Sequence, residues 1–155
     1  MEAAYTGSIY GGYELPTPKD TFALGEKFAA AILAGDVVLL LGELGAGKTL
    51  FVKGVLSGLG FDVDEVTSPT FALVNLYRTE RLDVYHVDLW RLKKGRHAAE
   101  AAGLDDLLGD GRAVVLIEWA DRLDDVRFGT RTFKVTIKGD GDDVRRIAIE
   151  AMPRR

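Results

Sequence analysis

Gly42-Glu43-Leu44-Gly45-Ala46-Gly47-Lys48-Thr49 fits the phosphate-loop pattern of Gly, four residues, Gly, Lys and then Ser or Thr. The preceding segment, Val37–Leu41, is a short apolar run that is typical of a buried parallel strand. Residues 50–59 carry helix-compatible side chains, with Gly58 and Gly60 as stop signals. The order strand, glycine-rich turn and helix therefore predicts a phosphate-binding loop. A βα turn that binds nothing would leave the Lys-Thr pair unexplained.

The residue types of this loop follow from what a triphosphate requires. Backbone N–H groups at the start of a helix supply several donors without a cost in side-chain entropy. Gly45 and Gly47 allow the backbone to wrap closely and to adopt positive φ. Lys48 is expected to reach the β- and γ-phosphates, and the Thr49 hydroxyl is expected to ligate Mg²⁺. The predicted nucleotide-binding residues are Glu43, Leu44, Gly45, Ala46, Gly47, Lys48, Thr49 and Leu50.

The composition of the chain restricts the class of protein. A chain of 155 residues is expected to form one domain over residues 1–155. Because there is no long apolar run and no leader-like N-terminus, a cytoplasmic location is expected. The absence of Cys excludes a disulfide framework and a zinc–cysteine site. A net charge of −4 argues against a free-standing nucleic-acid binder, although not against action on RNA through partners.

The hydrophobic pattern predicts an alternating α/β chain around the loop. Residues 1–9 are expected to be disordered, and a strand is expected near residues 10–15. Thr17-Pro18 resembles a helix N-cap followed by proline at the first helical position, and this helix is expected to run to Leu33. Short helices are expected over 97–108, broken at Gly103, and residues 61–65 are expected to be a connector. The other predicted strands are 72–77, 82–88, 113–117, 132–138 and 144–151, the last two forming a hairpin.

Two acidic residues follow apolar strands and could complete the site. A phosphate-loop protein needs a second acid at the end of a neighbouring strand to hold Mg²⁺ directly or through water. Asp88 and Glu118 both fit, since the carboxyl ends of parallel strands meet at one crevice. Either could also be a solvated strand-end carboxylate, but the phosphate loop favours a role for both. Trp119 directly follows Glu118, so its indole is expected near the same crevice.

Two further groups of polar residues have open interpretations. One group is a cluster of three hydroxyl residues, Thr67, Ser68 and Thr70. The cluster lies where nucleotide switches sense the γ-phosphate. It could instead be an ordinary turn in which the hydroxyls bond to the backbone. His86 is expected on the same strand face as Asp88. It could orient that carboxylate, contact phosphate or be a structural histidine.

The residues that the chain lacks favour ATP over GTP. Asn75 is the only Asn and is followed by Leu-Tyr-Arg, so the Asn-Lys-x-Asp element that recognises guanine in most small GTPases cannot exist here. The chain also contains no Gln, so the Gln that positions water in Ras-like enzymes is missing.

Four motifs occur in a defined order along the chain. They are Gly-Glu-Leu-Gly-Ala-Gly-Lys-Thr at 42–49, Thr-Ser-Pro-Thr-Phe at 67–71, His-Val-Asp-Leu-Trp-Arg-Leu at 86–92 and Ile-Glu-Trp at 117–119. Together the motifs resemble the TsaE (YjeE) family over residues 17–151. Members of this family are the ATPase subunit of the bacterial machinery that forms tRNA threonylcarbamoyladenosine (t6A).

The resemblance implies a fold, an activity and partners. The fold would be a P-loop NTPase-like three-layer α/β fold with a central mixed, largely parallel sheet and a C-terminal antiparallel hairpin. The activity would be weak hydrolysis of ATP with Mg²⁺, in support of t6A formation with TsaB and TsaD, and tRNA would be reached indirectly through that complex. By the resemblance, Lys48 binds phosphate, Thr49 and Glu118 hold Mg²⁺, and Asp88 belongs to the same catalytic and metal-binding neighbourhood. Trp90 departs from the Tyr that is usual in the family, so no hydroxyl-dependent role is expected there.

Three functions remain open at the level of sequence. The protein could be an ATPase whose hydrolysis resets a tRNA-modifying complex, or a nucleotide-sensing regulator whose turnover is incidental. A small-molecule kinase is a third possibility, but the chain has no distinct Arg-rich segment that could form the lid of a kinase. Phosphate release with and without partners separates the first two functions.

Overall fold

In a computed structural model of the protein, the structure describes residues 8–43, 45–66, 73–92, 96–123, 128–139 and 142–153. The strands are β1 Gly11–Leu15, β2 Val37–Leu41, β3 Val74–Arg78, β4 Asp83–Asp88, β5 Ala113–Glu118, β6 Thr132–Lys138 and β7 Arg145–Ala151. The α-helices are α1 Pro18–Ala29, α2 Lys48–Gly58, α3 Arg96–Ala102 and α4 Leu104–Leu108. Short 3-10 helices cover Val63–Glu65 and Ala120–Leu123.

Within the described residues, seven strands form one mixed sheet in the order β1-β7-β6-β2-β5-β4-β3. The four central strands β6, β2, β5 and β4 run parallel to one another. The pairs at both flanks, including the hairpin of β6 and β7, are antiparallel. The predicted mixed sheet and C-terminal hairpin are therefore confirmed, with the parallel part confined to the centre. This arrangement sets the carboxyl ends of β2, β4 and β5 side by side.

Two hydrophobic cores lie on opposite faces of the sheet and make the fold three-layered. One core joins α1 and α2 to the sheet and contains Phe28, Phe51 and Phe133, each no more than 1% exposed. The other joins α3, α4 and the second 3-10 helix to the opposite face and includes Ile117 and Leu89. The continuous apolar runs of the central strands β2 and β5 explain why both faces are covered.

The start of α1 is fixed by the predicted cap. The Thr17 side chain accepts from the Asp20 backbone N–H, and the Asp20 carboxylate accepts from the Thr17 backbone N–H at 2.9 Å. Pro18 occupies the first turn, where its missing N–H costs nothing. This reciprocal capping box confirms the helix start that the sequence predicts.

The end of α1 differs from the prediction, because the helix stops at Ala29 rather than at Leu33. The Arg81 guanidinium, which lies in the turn between β3 and β4, donates to the carbonyls of Ala29 and Ile32. Arg131 donates to a further carbonyl of the same segment at 2.8 Å. These two arginines satisfy carbonyls that another helical turn would have used, so the helix ends early.

Helices α1 and α2 cross in direct backbone contact at glycines. A Cβ atom on Gly25 would lie 2.4 Å from the Phe51 carbonyl oxygen, and one on Gly54 would lie 2.2 Å from the Phe22 carbonyl oxygen. Neither position has room for a side chain, so the glycines determine how closely the helices approach. Helix α2, which carries the phosphate loop at its start, is thereby packed against α1 without an intervening layer of side chains.

Several other boundaries shift by one or two residues. Helix α2 begins at Lys48, two residues before the predicted start, and β5 extends through Glu118. Strand β7 begins at Arg145 rather than at residue 144, and the predicted connector contains the first 3-10 helix. The expected disorder stays a prediction over residues 1–7, which the structure does not describe, whereas Ile9 is 5% exposed and packs into the core. No helix among the described residues is both long and apolar enough to cross a membrane.

Candidate functional site

The phosphate loop connects the end of β2 to the first residue of α2. Gly45 has φ +83° and Gly47 has φ +109°, a left-handed region that favours glycine. Gly47 is the N-cap residue of α2, and the Phe51 backbone N–H donates to its carbonyl at 2.9 Å. The loop therefore leads into a helix N-terminus whose first N–H groups are available to an anion.

Lys48 is held at the centre of this loop. Its Nζ donates to the carbonyl oxygens of Gly42 at 2.5 Å and Glu43 at 2.9 Å, and the residue is 5% exposed. An ammonium has three N–H donors, so these two carbonyls leave one for a phosphate oxygen. Burial lowers the pKa of Lys48 from its usual value of 10.5, and the carboxylates of Glu118 and Asp88 oppose that shift. An anion beside the ammonium would favour its charged form in the same way.

Thr49, Glu118 and His86 form a hydrogen-bonded chain across the crevice. The Thr49 hydroxyl donates to the Glu118 carboxylate, with its oxygen 3.1 and 3.3 Å from the two carboxylate oxygens. The Nε2 of His86 lies 2.5 Å from the Glu118 Oε2, and both side chains are buried. From the sequence, His86 could orient Asp88, contact phosphate or be a structural histidine; the structure pairs it with Glu118. The reason is that β4 and β5 are adjacent parallel strands, so His86 reaches across to the next strand.

Asp88 and Glu118 occupy matching positions at the ends of β4 and β5. The two residues are register partners and are 4% and 3% exposed. The Asp88 Oδ1 accepts from the Trp90 backbone N–H at 2.9 Å, which fixes the carboxylate where the chain leaves the strand. The structure thus brings together the two acids that the sequence singled out, next to the lysine and threonine of the phosphate loop.

Trp119 covers Lys48 from the side of β5. The Lys48 Nζ lies 4.0 Å from the centroid of the Trp119 ring, within the range of a cation–π interaction. Trp119 has φ +59°, which is unusual for a bulky residue and turns the indole away from the line of the strand. The ring also lies against Trp90, with centroids 4.5 Å apart, and against Arg122, whose Cζ lies 5.3 Å from its centroid. The structure thus places the Trp119 indole over Lys48, and its contact with Trp90 was not anticipated.

The side chains at this crevice fit a magnesium ion. Thr49 offers a hydroxyl, and Glu118 and Asp88 offer carboxylates, which are the oxygen ligands that a hard cation prefers. Among the described residues there is no cluster of three or more His, Cys, Asp or Glu able to hold a metal alone. Magnesium does not need such a cluster, because it usually keeps waters and shares the phosphates of its substrate.

Two cavities flank the phosphate loop on the side of β6 and β7. The larger has a volume of about 540 Å³ and is lined in part by Gly42, Glu43 and Lys138. The smaller has a volume of about 170 Å³ and lies between Thr21, Gly47 and Leu50. Among the remaining predicted site residues, Leu44, Thr67, Ser68 and Thr70 lie outside the described residues, and Ala46 lies buried in the loop.

Arg145 is a residue at the loop that sequence reasoning missed. Its guanidinium donates to the carbonyl oxygens of Ala46 at 2.8 Å and Gly45 at 3.3 Å. The residue lies at the start of β7, about a hundred positions along the chain from its partners. Only knowledge of how β7 sits beside β6 could have placed it there, and no motif marks it.

The fold and this crevice together define a P-loop NTPase-like α/β protein. A glycine-rich loop joins the central parallel strand β2 to α2, and acids stand at the ends of the strands beside it. The chain belongs to the TsaE family, whose sequence model, described as "Threonylcarbamoyl adenosine biosynthesis protein TsaE", matches residues 15–147.

Relatives in several bacteria are similar over most of their length. The Bacillus subtilis protein named tRNA threonylcarbamoyladenosine biosynthesis protein TsaE is 38% identical over 138 residues, which is 89% of this chain and 84% of that protein. The protein of the same name in Treponema pallidum is 37% identical over 125 residues, covering 80% of this chain and 90% of the relative. The crystal structure of Bacillus subtilis YdiB superposes with a TM-score of 0.69 at 33% identity, covering 92% of this chain and 86% of that one.

Proposed function

We propose that this protein binds ATP with Mg²⁺, hydrolyses it slowly, and supports formation of t6A in tRNA together with TsaB and TsaD. The observation that carries the proposal is the grouping of Lys48, Thr49 and Glu118 in one buried crevice at the start of α2. A lysine in the loop that can donate to phosphate oxygens, and a hydroxyl beside a carboxylate that can hold Mg²⁺, are what a magnesium-bound triphosphate requires.

Each residue has a separable task in this proposal. Lys48 uses its remaining donor on the phosphates, and the N–H groups at the start of α2 bind further phosphate oxygens. Thr49 and Glu118 hold the metal, which when bound neutralises charge on the β- and γ-phosphates. His86 keeps the Glu118 carboxylate oriented from behind. Asp88 lies on the neighbouring strand, where it can orient the attacking water.

The nucleoside would extend from the phosphate loop into the smaller of the two cavities. Gly47 and Leu50 line that cavity, so it adjoins the part of the loop that would hold phosphate. Thr21 also lines it, and its hydroxyl is buried without a hydrogen-bond partner among the described residues.

The proposed role in t6A formation rests on membership of the TsaE family. The relatives described above carry that role in their names, and the chain covers most of their length. Slow intrinsic turnover is expected because the chain has no Gln to position the attacking water. Partners that complete the site would then raise the rate.

Phosphate release tests the proposal directly. The purified protein is mixed with Mg-ATP alone and with TsaB and TsaD, and Lys48→Ala serves as the inactive reference. We expect slow release from the protein alone and an increase of at least about tenfold with the partners, because completing a phosphoryl-transfer site is worth far more than that in known switches. Fast release that ignores the partners would indicate a stand-alone ATPase. Tight ATP binding without release under either condition would indicate a nucleotide-sensing regulator instead.

Substitutions of the two acids separate their roles. Glu118→Ala is expected to weaken Mg²⁺-dependent ATP binding by about 10- to 100-fold, because the cation loses an oxygen ligand or the group that orients its water. Asp88→Ala is expected to lower turnover at least as strongly as binding. Calorimetric titration of ATP at several Mg²⁺ concentrations, with phosphate release in parallel, measures both effects.

Glu118→Gln is the matched control for Glu118→Ala. It keeps a hydrogen-bonding partner for the buried His86 and for Thr49, so a loss of Mg²⁺ dependence in this variant cannot be attributed to an unpaired histidine. If ATP binding by Glu118→Ala depends on Mg²⁺ as it does in the unsubstituted protein, Asp88 and not Glu118 would be assigned as the metal ligand.

A further inference from the structure

Arg145 connects the hairpin of β6 and β7 to the phosphate loop. Besides its bonds to the carbonyls of Gly45 and Ala46, its Nη1 donates to the Asp143 carbonyl at 2.7 Å. One guanidinium therefore bonds both the hairpin and the loop. None of the tasks described above for Lys48, Thr49 and the acids uses this contact.

The bond to Arg145 determines which way the Ala46–Gly47 peptide faces, whereas the Gly45–Ala46 peptide is also held by the Ala46 N–H, which donates to the Glu43 carbonyl at 3.0 Å. In a trans peptide, a carbonyl and the following N–H point in opposite directions. Because the Ala46 carbonyl points at Arg145, the Gly47 N–H must point away from it. If this peptide rotated by half a turn, a carbonyl oxygen would replace the N–H, and it would repel a phosphate oxygen.

The sequence around Ala46 makes such a rotation easy unless something prevents it. Ala46 stands between Gly45 and Gly47, both of which have positive φ, and glycine adopts many backbone conformations at little cost. The flexibility that lets the loop wrap closely also lets its peptides turn the wrong way. A charged donor on the carbonyl side removes that freedom, because hydrogen bonds from a guanidinium are stronger than neutral ones.

We propose that Arg145 is a positioning residue that holds the Ala46 carbonyl outward, so that the Gly47 N–H of the phosphate loop is preset to receive the β-phosphate. The proposal rests on the proposed function and adds a residue to it. Gly139 is part of the arrangement: it has φ +115°, and a Cβ there would lie 3.2 Å from the Arg145 Cδ. The same Cβ would lie 2.9 Å from the Val144 carbonyl oxygen, so the hairpin has no room for a side chain beside the arginine.

The neighbouring Arg146 provides a matched control. It has the same charge and lies on the same strand, but its side chain is 72% exposed, and its Nε lies 3.4 Å from the carboxylate of Glu14 on β1. Substitutions at Arg145 and Arg146 therefore change the net charge equally, while only the first removes a contact with the phosphate loop.

The experiment compares Arg145→Gln and Arg145→Lys with Arg146→Gln in the full chain. Binding of Mg-ATP, AMP and pyrophosphate is measured by calorimetry, and the backbone amide resonances of Gly45 and Gly47 are recorded by NMR without ligand. We expect Arg145→Gln to weaken Mg-ATP and pyrophosphate binding by a similar factor of about tenfold or more, and AMP by much less. Arg145→Lys keeps the charge but not the fork of donors, so we expect a smaller loss. The two glycine resonances should shift in both Arg145 variants and stay in place in Arg146→Gln.

Two results would overturn the proposal while leaving the proposed function intact. One is Mg-ATP and pyrophosphate binding in Arg145→Gln within twofold of the unsubstituted protein. The other is an equal loss for AMP and ATP with unchanged glycine resonances, which would mean that Arg145 contacts the nucleoside. If Arg145→Gln does not fold, Arg145→Lys is judged by the same criteria. Failure of the unsubstituted protein to bind either ATP or pyrophosphate would overturn both proposals.

Discussion

Replacing Lys48 by alanine is expected to lower the affinity for Mg-ATP by at least about 100-fold and to abolish turnover. The variant loses the ammonium that lies inside the phosphate loop, where it donates to the Gly42 and Glu43 carbonyls. It also leaves the buried carboxylate of Glu118 without the positive charge beside it. Calorimetric titration with Mg-ATP measures the first effect, and phosphate release measures the second.

Lys53→Ala is the control for Lys48→Ala, since both lysines lie on α2 but only Lys48 enters the loop. We expect Lys53→Ala to bind Mg-ATP with nearly the affinity of the unsubstituted protein. Thermal unfolding of the nucleotide-free variants shows whether either substitution disturbs the fold. ATP binding and hydrolysis at ordinary levels in a folded Lys48→Ala protein would refute the assignment of the phosphate loop.

Gly54→Ala is expected to destabilise the protein by about 3 kcal/mol, although alanine is the better helix former by about 1 kcal/mol. The added methyl would lie 2.2 Å from the Phe22 carbonyl oxygen and 3.1 Å from the Cα of Gly25. Backbone cannot move aside as a side chain can, so the two helices would have to separate. Urea unfolding monitored by circular dichroism measures the loss.

Gly111→Ala is the matched control for the glycine prediction. A Cβ at Gly111 would meet no atom within 4 Å, so the free energy of unfolding should change by less than about 0.5 kcal/mol. Equal stability of the two variants would mean that α1 and α2 are not held at the separation described above.

The part of the fold that sequence could predict is the part built from local signals. The alternation of β2, the phosphate loop and α2, and the hairpin of β6 and β7, follow from hydrophobic periods and glycine positions. The end of α1 could not be predicted in this way. It depends on Arg81, which lies about fifty positions along the chain and reaches the helix only after β3 and β4 have formed.

The candidate site shows the same division. Spacing along the strands placed Asp88 and Glu118 together, because strand ends in a parallel sheet share one edge. The sequence left the role of His86 open, since it shows which face of a strand a residue occupies but not what lies on the next strand. Arg145 and the contact between Trp90 and Trp119 depend on which strands are neighbours and on loop geometry, and no pattern in the chain encodes either.

The glycine contact between α1 and α2 limits which parts of the protein can move when nucleotide binds. Packed side chains can accommodate a shifting helix by changing rotamers, but bare backbones in contact have no such tolerance. We therefore expect helix α2 to keep its position relative to α1 when nucleotide binds. We expect any structural response to be transmitted on the opposite flank, where Trp119 lies on Lys48 and Trp90 is 38% exposed. A partner protein would then detect bound nucleotide through contact with the surface formed by these two tryptophans, and not through a movement of the helix.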